Sequence, residues 1–277
     1  MLYVIMKNQN QQKVLVTVIV AVLIIFFAFF GTNKDKNQNQ QNQQNSSLQS
    51  SSKQSSSKQS SSSSSESQNA NSQYQTQQSA STTQKAQELA QLSYNGTQII
   101  AVDDNNPGFT ADELGQKPFQ YYAPLDNLKR ATYATAMLHK SLMPTEQRER
   151  LTVNPTGYIN KRITINGKEG WLYNRAHLIG YQFTGQNNNL NNLMTGTRSL
   201  NDPGMTFYEN KMAQYLRSTG HHILYYVQPV YRGDEKVARG MWMRAESVED
   251  KEIQFNIYIF NVQEGYTIDY QTGALKN

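Results

Sequence analysis

A low-complexity tract near the N-terminus limits how much of this 277-residue chain can fold. Between residues 41 and 80, Ser, Gln and Asn occupy 32 of 40 positions. The few apolar side chains that remain cannot bury enough surface to offset the entropy lost when the chain is ordered. The tract is therefore predicted to be disordered. We therefore predict a disordered linker over residues 31–85 and one folded domain over residues 86–277.

The apolar run that precedes this tract predicts a membrane segment. Residues 14–30 contain one polar side chain, Thr17, and Lys13 lies directly before them. A run of this length is at the short limit for crossing a bilayer. A cleaved signal peptide is the alternative, but the run ends in Phe27-Ala-Phe-Phe-Gly-Thr32 without a small-x-small cleavage site. We favour a signal anchor, with residues 1–13 in the cytoplasm and the domain on the outer face of the membrane; cleavage would instead secrete it.

Residue types exclude several kinds of site. The chain contains no Cys, so a disulfide scaffold, a thiolate zinc site and a cysteine nucleophile are ruled out. Imidazole chemistry must use one of four histidines, His139, His177, His221 or His222. Residues 86–277 are neutral overall, but residues 129–245 carry nine more basic than acidic side chains. This basic middle favours an anionic substrate, while chance clustering on a solvated surface explains the charge equally well.

Hydrophobic periodicity predicts an α+β fold with a largely antiparallel sheet. Helices are predicted over Leu128–Leu142 and Met205–Arg217, and Gly220 is expected to end the second. A hairpin is predicted through the turn Asn166-Gly167. Further strands are predicted over Phe119–Leu125, His222–Tyr231, Val237–Ser247 and Ile253–Val262.

Polar residues suited to phosphate chemistry follow the predicted hairpin, in the segment Tyr173-Asn-Arg-Ala-His-Leu-Ile179. Arg175 and His177 are two residues apart, so on an extended chain they lie on one face. A guanidinium binds phosphate oxygens and an imidazole accepts a proton from water. Taken alone, a histidine in such a pattern is more often a hydrogen-bonded structural residue. We interpret His221 and His222 as structural residues near the end of the second helix, and His139 is predicted to lie on the surface of the first helix.

Further along the chain, Asn201 and Glu209 are candidate ligands of a hard cation. Asn201 precedes the second predicted helix, and Glu209 lies about two turns inside it. An amide oxygen and a carboxylate suit Mg²⁺, which keeps most of its water ligands. The alternatives are an N-cap role for Asn201 and a solvated helix position for Glu209.

These blocks together resemble the DNA/RNA non-specific endonucleases with a ββα-metal site, and within them the DNA-entry nuclease branch. The family motif Asp-Arg-Gly-His is similar to Asn174-Arg-Ala-His177, and the branch form Asn-Arg-x-His-Leu-Ile matches residues 174–179. Other matching blocks lie at residues 122–130, 192–201 and 207–210, so the resemblance covers about residues 94–277.

The resemblance implies a role for each matching residue. His177 would be the general base, and Asn201 the one direct protein ligand of Mg²⁺, with Mn²⁺ as the alternative metal. Glu209 would orient the water around the metal. Two arginines and an amide complete the implied set: Arg175 and Arg130 would stabilise the pentavalent phosphate, and Asn192 would help to hold the histidine or the phosphate.

The expected function is that of a surface-tethered or secreted, Mg²⁺-dependent endonuclease. Its substrate would be DNA, with RNA left open, and its products would carry 5′-phosphates. Contacts to phosphate alone carry no base information, so sequence preference should be weak. The alternatives are a catalytically silent DNA-binding module at the cell surface and a nuclease toxin.

Overall fold

The computed structural model describes residues 80–276. A six-stranded sheet organises these residues, and all of its neighbouring strands are antiparallel. In chain order the strands are β1 (Ile99–Ala101), β2 (Phe119–Tyr122), β3 (Ala134–Leu138), β8 (Ile223–Val230), β9 (Gly240–Ser247) and β10 (Gln254–Phe260). Their order across the sheet is β1-β10-β9-β8-β3-β2.

Three further antiparallel pairs lie outside this sheet. They are β4 (Arg162–Ile165) with β5 (Lys168–Trp171), β6 (Tyr173–His177) with β7 (Leu193–Thr197), and β11 (Thr267–Ile268) with β12 (Leu275–Lys276). The α-helices are α1 (Ala80–Gln91), α2 (Ala111–Leu114), α3 (Tyr181–Thr184) and α4 (Thr206–Thr219). A wide helical turn, Leu200–Met205, leads into α4.

Alternation along the central strands gives the large sheet two apolar faces. In β8, Tyr225 and Val227 belong to one core, and Tyr226 belongs to the other. Met243 and Trp242 divide β9 in the same way. A sheet covered on both faces explains why its central strands are apolar at almost every position.

Helix α4 and strand β6 cover the first face. Met212 and Leu216 of α4 and Ala176 of β6 are fully buried in its core. Burying a Leu or Met side chain contributes roughly 1.5–3 kcal/mol, so these contacts fix both elements on the sheet. The second face is covered in part by α1, whose Leu89 and Ala90 pack there.

The helix predicted over Leu128–Leu142 is wrong. Residues Ala134–Leu138 form β3, and one short 3-10 turn, Lys140–Leu142, follows. Strand β3 is buried at all five positions and pairs with β2 on one side and β8 on the other. The alanines fit a helical spacing, but pairing on both sides within a buried sheet outweighs that local preference. His139 therefore follows a strand, and its ring stacks on His222 with centroids 4.5 Å apart.

The other predicted elements of the domain are confirmed with small shifts at their ends. The hairpin turns at Asn166-Gly167, the three C-terminal strands form the middle of the sheet, and Gly220 ends α4 with a left-handed φ of 72°. Phe207, an apolar residue of α4, is 63% exposed.

The predicted boundary at residue 86 falls inside α1, so the last residues of the predicted linker are helical. The rest of that linker and the apolar run over residues 14–30 lie outside the described residues. Between residues 80 and 276, no helix has the length and apolar character to cross a membrane.

Gly240 allows a close approach between β9 and β10. A Cβ at this position would overlap the ring of the fully buried Tyr258 and the carbonyl oxygen of Ile259. We predict that Gly240→Ala lowers the free energy of unfolding by about 1–3 kcal/mol, because overpacking forces neighbouring groups to shift. Urea unfolding followed by circular dichroism measures this change. Gly115→Ala is the matched control, since a Cβ there makes contacts no shorter than 3.5 Å. Equal midpoints for the two variants would contradict the assignment.

Candidate functional site

A cavity of about 950 Å³ lies beside β6. Its lining includes Arg175 and His177 from β6, Asn201 from the wide turn, and Glu209 from α4. Four of the six residues predicted to form a site therefore meet at one cavity. The remaining two, Arg130 and Asn192, do not line it.

Strand β6 directs Arg175 and His177 to the same side, as their two-residue spacing predicts. The Arg175 Nε donates a hydrogen bond to Asn154 Oδ1 at 2.7 Å. Its guanidinium lies over the Tyr158 ring, 4.7 Å from the centroid. These two contacts hold the cation at the cavity wall and leave other N–H donors of the guanidinium for an anion.

His177 is 7% exposed, and both of its ring nitrogens have neighbours. Nε2 lies 3.1 Å from the carbonyl oxygen of Asn187, and Nδ1 lies 3.4 Å from Nη2 of Arg148. A carbonyl only accepts and a guanidinium only donates, so we assign the proton to Nε2 and the lone pair to Nδ1. The basic nitrogen of His177 is therefore Nδ1.

Burial and, to a smaller extent, the positive charge of Arg148 together lower the pKa of His177 to about 4, although the hydrogen bond to the Asn187 carbonyl opposes both. Desolvation disfavours the charged imidazolium, which explains the direction. His177 is therefore neutral at pH 7 and available to accept a proton.

Arg148 belongs to the site, although sequence reasoning did not single it out. Besides facing His177, it donates from Nε to Asn187 Oδ1 at 3.3 Å and lies over the Tyr181 ring at 5.9 Å. It comes from an irregular segment without periodicity. In the sequence, Arg148 is marked only as one of two nearby arginines, with Arg150, in the basic middle of the chain. The sequence does not indicate which of the two reaches the site.

Glu209 is 8% exposed, and one carboxylate oxygen lies against the backbone of Gly180, 3.2 Å from where a Cβ would be. Among residues 80–276 its carboxylate has no hydrogen-bond or ion-pair partner. Burial raises the pKa of Glu209 to about 7, and the charge of Arg148 acts in the opposite direction. A buried carboxylate without a donor is unfavourable when ionised, unless a cation or ordered water compensates it.

Asn192 acts on the backbone that follows His177. It is fully buried, accepts from the Ile179 N–H at 2.8 Å and donates to the Ile179 carbonyl at 3.0 Å. The backbone carbonyl of Asn192 accepts a hydrogen bond from the Leu178 N–H at 2.9 Å. Of the two roles predicted for it, holding the histidine segment fits this geometry and contact with phosphate does not.

Arg130 lies away from the cavity, which corrects the prediction that it stabilises the phosphate. Its Nε pairs with Asp126 at 2.7 Å, and Nη1 donates to the carbonyls of Gly233 and Glu235 at 2.7 and 2.8 Å. The guanidinium also lies over the Tyr231 ring at 4.3 Å. These contacts leave it a structural role, holding two loops together.

The remaining histidines lie outside the cavity, in agreement with a structural interpretation. His221 pairs with Asp250 at 3.2 Å, and His222 pairs with Glu249 at 2.7 Å.

A model of the family described as DNA/RNA non-specific endonuclease matches residues 110–249, half of the chain. The chain belongs to this family. All six residues predicted for the site fall inside the matched range.

One sequence relative and two solved structures resemble this endonuclease-family chain at low identity. A deoxyribonuclease of Streptococcus dysgalactiae subsp. equisimilis is 26% identical over 196 residues, which cover 56% of this chain and 59% of the relative. The chain thus spans about three fifths of the length of that relative. The crystal structure of NucA from Streptococcus agalactiae, with magnesium ion bound, has a TM-score of 0.61 at 23% identity, covering 72% of this chain and 96% of NucA. The structure of Sda1 nuclease with bound zinc ion has a TM-score of 0.57 at 22% identity, covering 65% and 96%. These likenesses support the mixed fold with an antiparallel sheet.

The cavity residues of this family member fit a hydrated divalent cation. Asn201 offers an amide oxygen, and the buried carboxylate of Glu209 lacks a donor among the described residues. Mg²⁺ is commonly held by one or two protein oxygens and keeps several waters. Within residues 80–276, no group of three or more His, Cys, Asp or Glu could hold a metal, which argues against a closed cage of such ligands.

We predict that Glu209→Gln stabilises the metal-free protein at pH 8 but not at pH 4. The folded-state pKa of about 7 lies above the usual 4.5, so the stability linked to this group is complete below pH 4.5 and is lost as pH rises through 7. Removing the charge should recover on the order of 2 kcal/mol at pH 8. Thermal unfolding in EDTA at both pH values measures the difference.

The exposed Glu264 provides the matched control, because Glu264→Gln removes the same charge from the surface. A Glu209→Gln effect that does not change between pH 4 and pH 8 would show that this carboxylate is not destabilised by burial.

Proposed function

We propose that the chain is a divalent-metal-dependent endonuclease that hydrolyses phosphodiester bonds of DNA. One observation carries the proposal: the neutral His177, whose basic Nδ1 faces Arg148, lines one cavity with Arg175, Asn201 and the buried Glu209. A base, an anion-binding cation and oxygen ligands for a hard metal are the groups that phosphodiester hydrolysis requires.

In the proposed reaction, His177 Nδ1 accepts a proton from water. The water oxygen forms a bond to phosphorus, and the bond from phosphorus to the 3′ oxygen breaks. The leaving 3′ oxyanion takes a proton from solvent, so the products carry a 5′-phosphate and a 3′-hydroxyl, and His177 later returns its proton to solvent. The Asn187 carbonyl stabilises the imidazolium through the Nε2 proton. Arg175 neutralises charge that develops on the phosphate oxygens.

Arg148 must leave Nδ1 before water can reach it, because its guanidinium lies 3.4 Å from that nitrogen. The phosphate of a bound strand offers this cation a stronger partner than a neutral imidazole does. Substrate binding would then free the base and place a second positive charge beside the phosphate.

Asn201 would hold the metal directly, and Glu209 would orient water around it. A bound divalent cation would neutralise the scissile phosphate and the leaving oxygen. Magnesium in NucA and zinc in Sda1 support a divalent cation, and Mg²⁺ best suits the two oxygen donors here, with Mn²⁺ as the alternative.

DNA as the substrate is supported by the name of the deoxyribonuclease relative, and RNA is a second substrate that the same phosphate contacts would accept. The apolar run over residues 14–30 supports export of the domain, either anchored on the outer face of the membrane or secreted. DNA uptake, nutrition and defence are the settings that such a location would serve.

We predict that His177→Ala lowers plasmid nicking by about 10²–10⁴-fold while DNA binding persists, because general base catalysis typically accounts for this factor. The assay uses the full-length chain with Mg²⁺, and EDTA should abolish cleavage by the unaltered protein. His139→Ala is the control, since His139 does not line the cavity.

Two outcomes would overturn the proposal. Near-normal nicking by the His177→Ala variant would remove the base from the mechanism. Tight DNA binding by the unaltered chain without cleavage at any divalent metal concentration would favour the silent binding module.

A further inference from the structure

Trp171 is exposed on the solvent face of the β4–β5 hairpin, where polar residues are usual. Along this hairpin one face packs inward through Ile163, with Leu172 just beyond β5. Trp171 lies on the opposite face and is 46% exposed, although it is one of only two tryptophans in the chain. Leaving a large ring in solvent forfeits much of the stabilisation that its burial would give. Fold stability therefore does not explain this residue.

A cation supports the Trp171 ring from one side. Arg162 is the cross-strand partner of Trp171, and its guanidinium lies 4.3 Å from the ring centroid. A second pair of this kind, Arg175 over Tyr158, stands in the same region. Trp171, Tyr158 and Arg175 all line the cavity that contains His177. The hairpin thus extends the site as a wall of rings and guanidinium groups.

We infer that Trp171 stacks on an unpaired base of the bound strand and biases the site toward single-stranded nucleic acid. The inference rests on the proposed nuclease function and adds a substrate preference to it. Aromatic rings beside basic groups are the usual combination for binding single strands, since every base has a π-face. The hairpin supplies the positive charge through Lys161, Arg162 and Lys168 against a single acid, Glu169.

A duplex cannot use this wall in the same way. Its bases already stack on their neighbours, and exposing one face requires unstacking at a cost of a few kcal/mol. Phosphate contacts by Arg175 and Arg148 are available to both forms of substrate. Trp171 therefore adds to the binding of a single strand and adds little to that of an intact duplex.

Trp171 acts on a flanking nucleotide and does not touch the reacting atoms. Trp171 lies six positions before His177 in the chain, so the two are at most about 20 Å apart. Because His177 and Arg175 serve the scissile phosphate in the proposed reaction, we assign the stacked base to a nucleotide beside the one that is cleaved. Trp171 is a residue of substrate selection, and its loss should leave the chemistry of the phosphate intact.

The test compares two proteins on each of two substrates. The full-length chain and its Trp171→Ala variant are each given a short oligothymidylate or an abasic sugar-phosphate chain of the same length and charge. We predict that the variant loses roughly 5- to 150-fold in kcat/KM on the oligothymidylate, the usual range for one stacked base. On the abasic chain its loss should be within about twofold, because no base is present to stack.

Two further variants define the cause. Trp171→Phe keeps a ring and should retain most of the activity on the oligothymidylate. Tyr94→Ala removes an aromatic residue of similar exposure, 44%, that does not line the cavity, and it should cleave both substrates like the unaltered chain. Equal loss by Trp171→Ala on both substrates, or no loss on either, overturns the inference.

A binding measurement decides the question even if the nuclease proposal fails. In a His177→Ala background, oligothymidylate should quench the fluorescence of the exposed Trp171, while the abasic chain should not. The other tryptophan, Trp242, is only 2% exposed and should not respond. Absence of cleavage by the unaltered chain counts against the function alone, whereas equal quenching by both chains, or none, counts against stacking.

Discussion

The burial of His177 is the constraint on which the arrangement of the site depends. A buried imidazole resists protonation, so His177 stays neutral and is available as a base. For the same reason, the imidazolium that forms when it accepts a proton is unfavourable. The carbonyl of Asn187 would offset this cost, because it accepts a hydrogen bond from Nε2 and would stabilise the charged ring. Burial also disfavours the charged form of Glu209, and because that form is negative, a nearby cation would stabilise it. A divalent metal and an anionic substrate together would satisfy both residues.

The surrounding fold supplies this geometry with rigid elements and buried amides. Strand β6 pairs with β7 along its whole length, and Asn192 ties the chain that follows His177. Two more asparagines hold the segment that carries Arg148: Asn187 donates to the Glu149 carbonyl at 2.8 Å, and Asn188 accepts from the Thr152 N–H at 2.7 Å. The asparagine-rich loop thus positions both the histidine and the arginine beside it.

Local signals made part of this structure predictable, and tertiary contacts decided the rest. The Asn166-Gly167 turn, the α4 helix and the two-residue spacing of Arg175 and His177 are local features, so sequence sufficed for them. Strand β3 was misassigned because its alanines fit two periodicities and only its pairing partners choose between them. Arg148 was missed because no local pattern marks a loop residue that meets a distant histidine, and Arg130 was misplaced because a matching block does not fix where a side chain is held.

The protonation state of His177 in solution decides whether burial controls the chemistry of the site. NMR titration of the histidine ring nitrogens, with the His177 signals assigned by their absence from His177→Ala, reports both the tautomer and the pKa. We predict a neutral ring with its proton on Nε2 at pH 6, protonation near pH 4, and a higher pKa in Arg148→Gln, where the neighbouring positive charge is gone. A ring that protonates near its ordinary pKa of 6.5, or that carries its proton on Nδ1, would contradict this prediction.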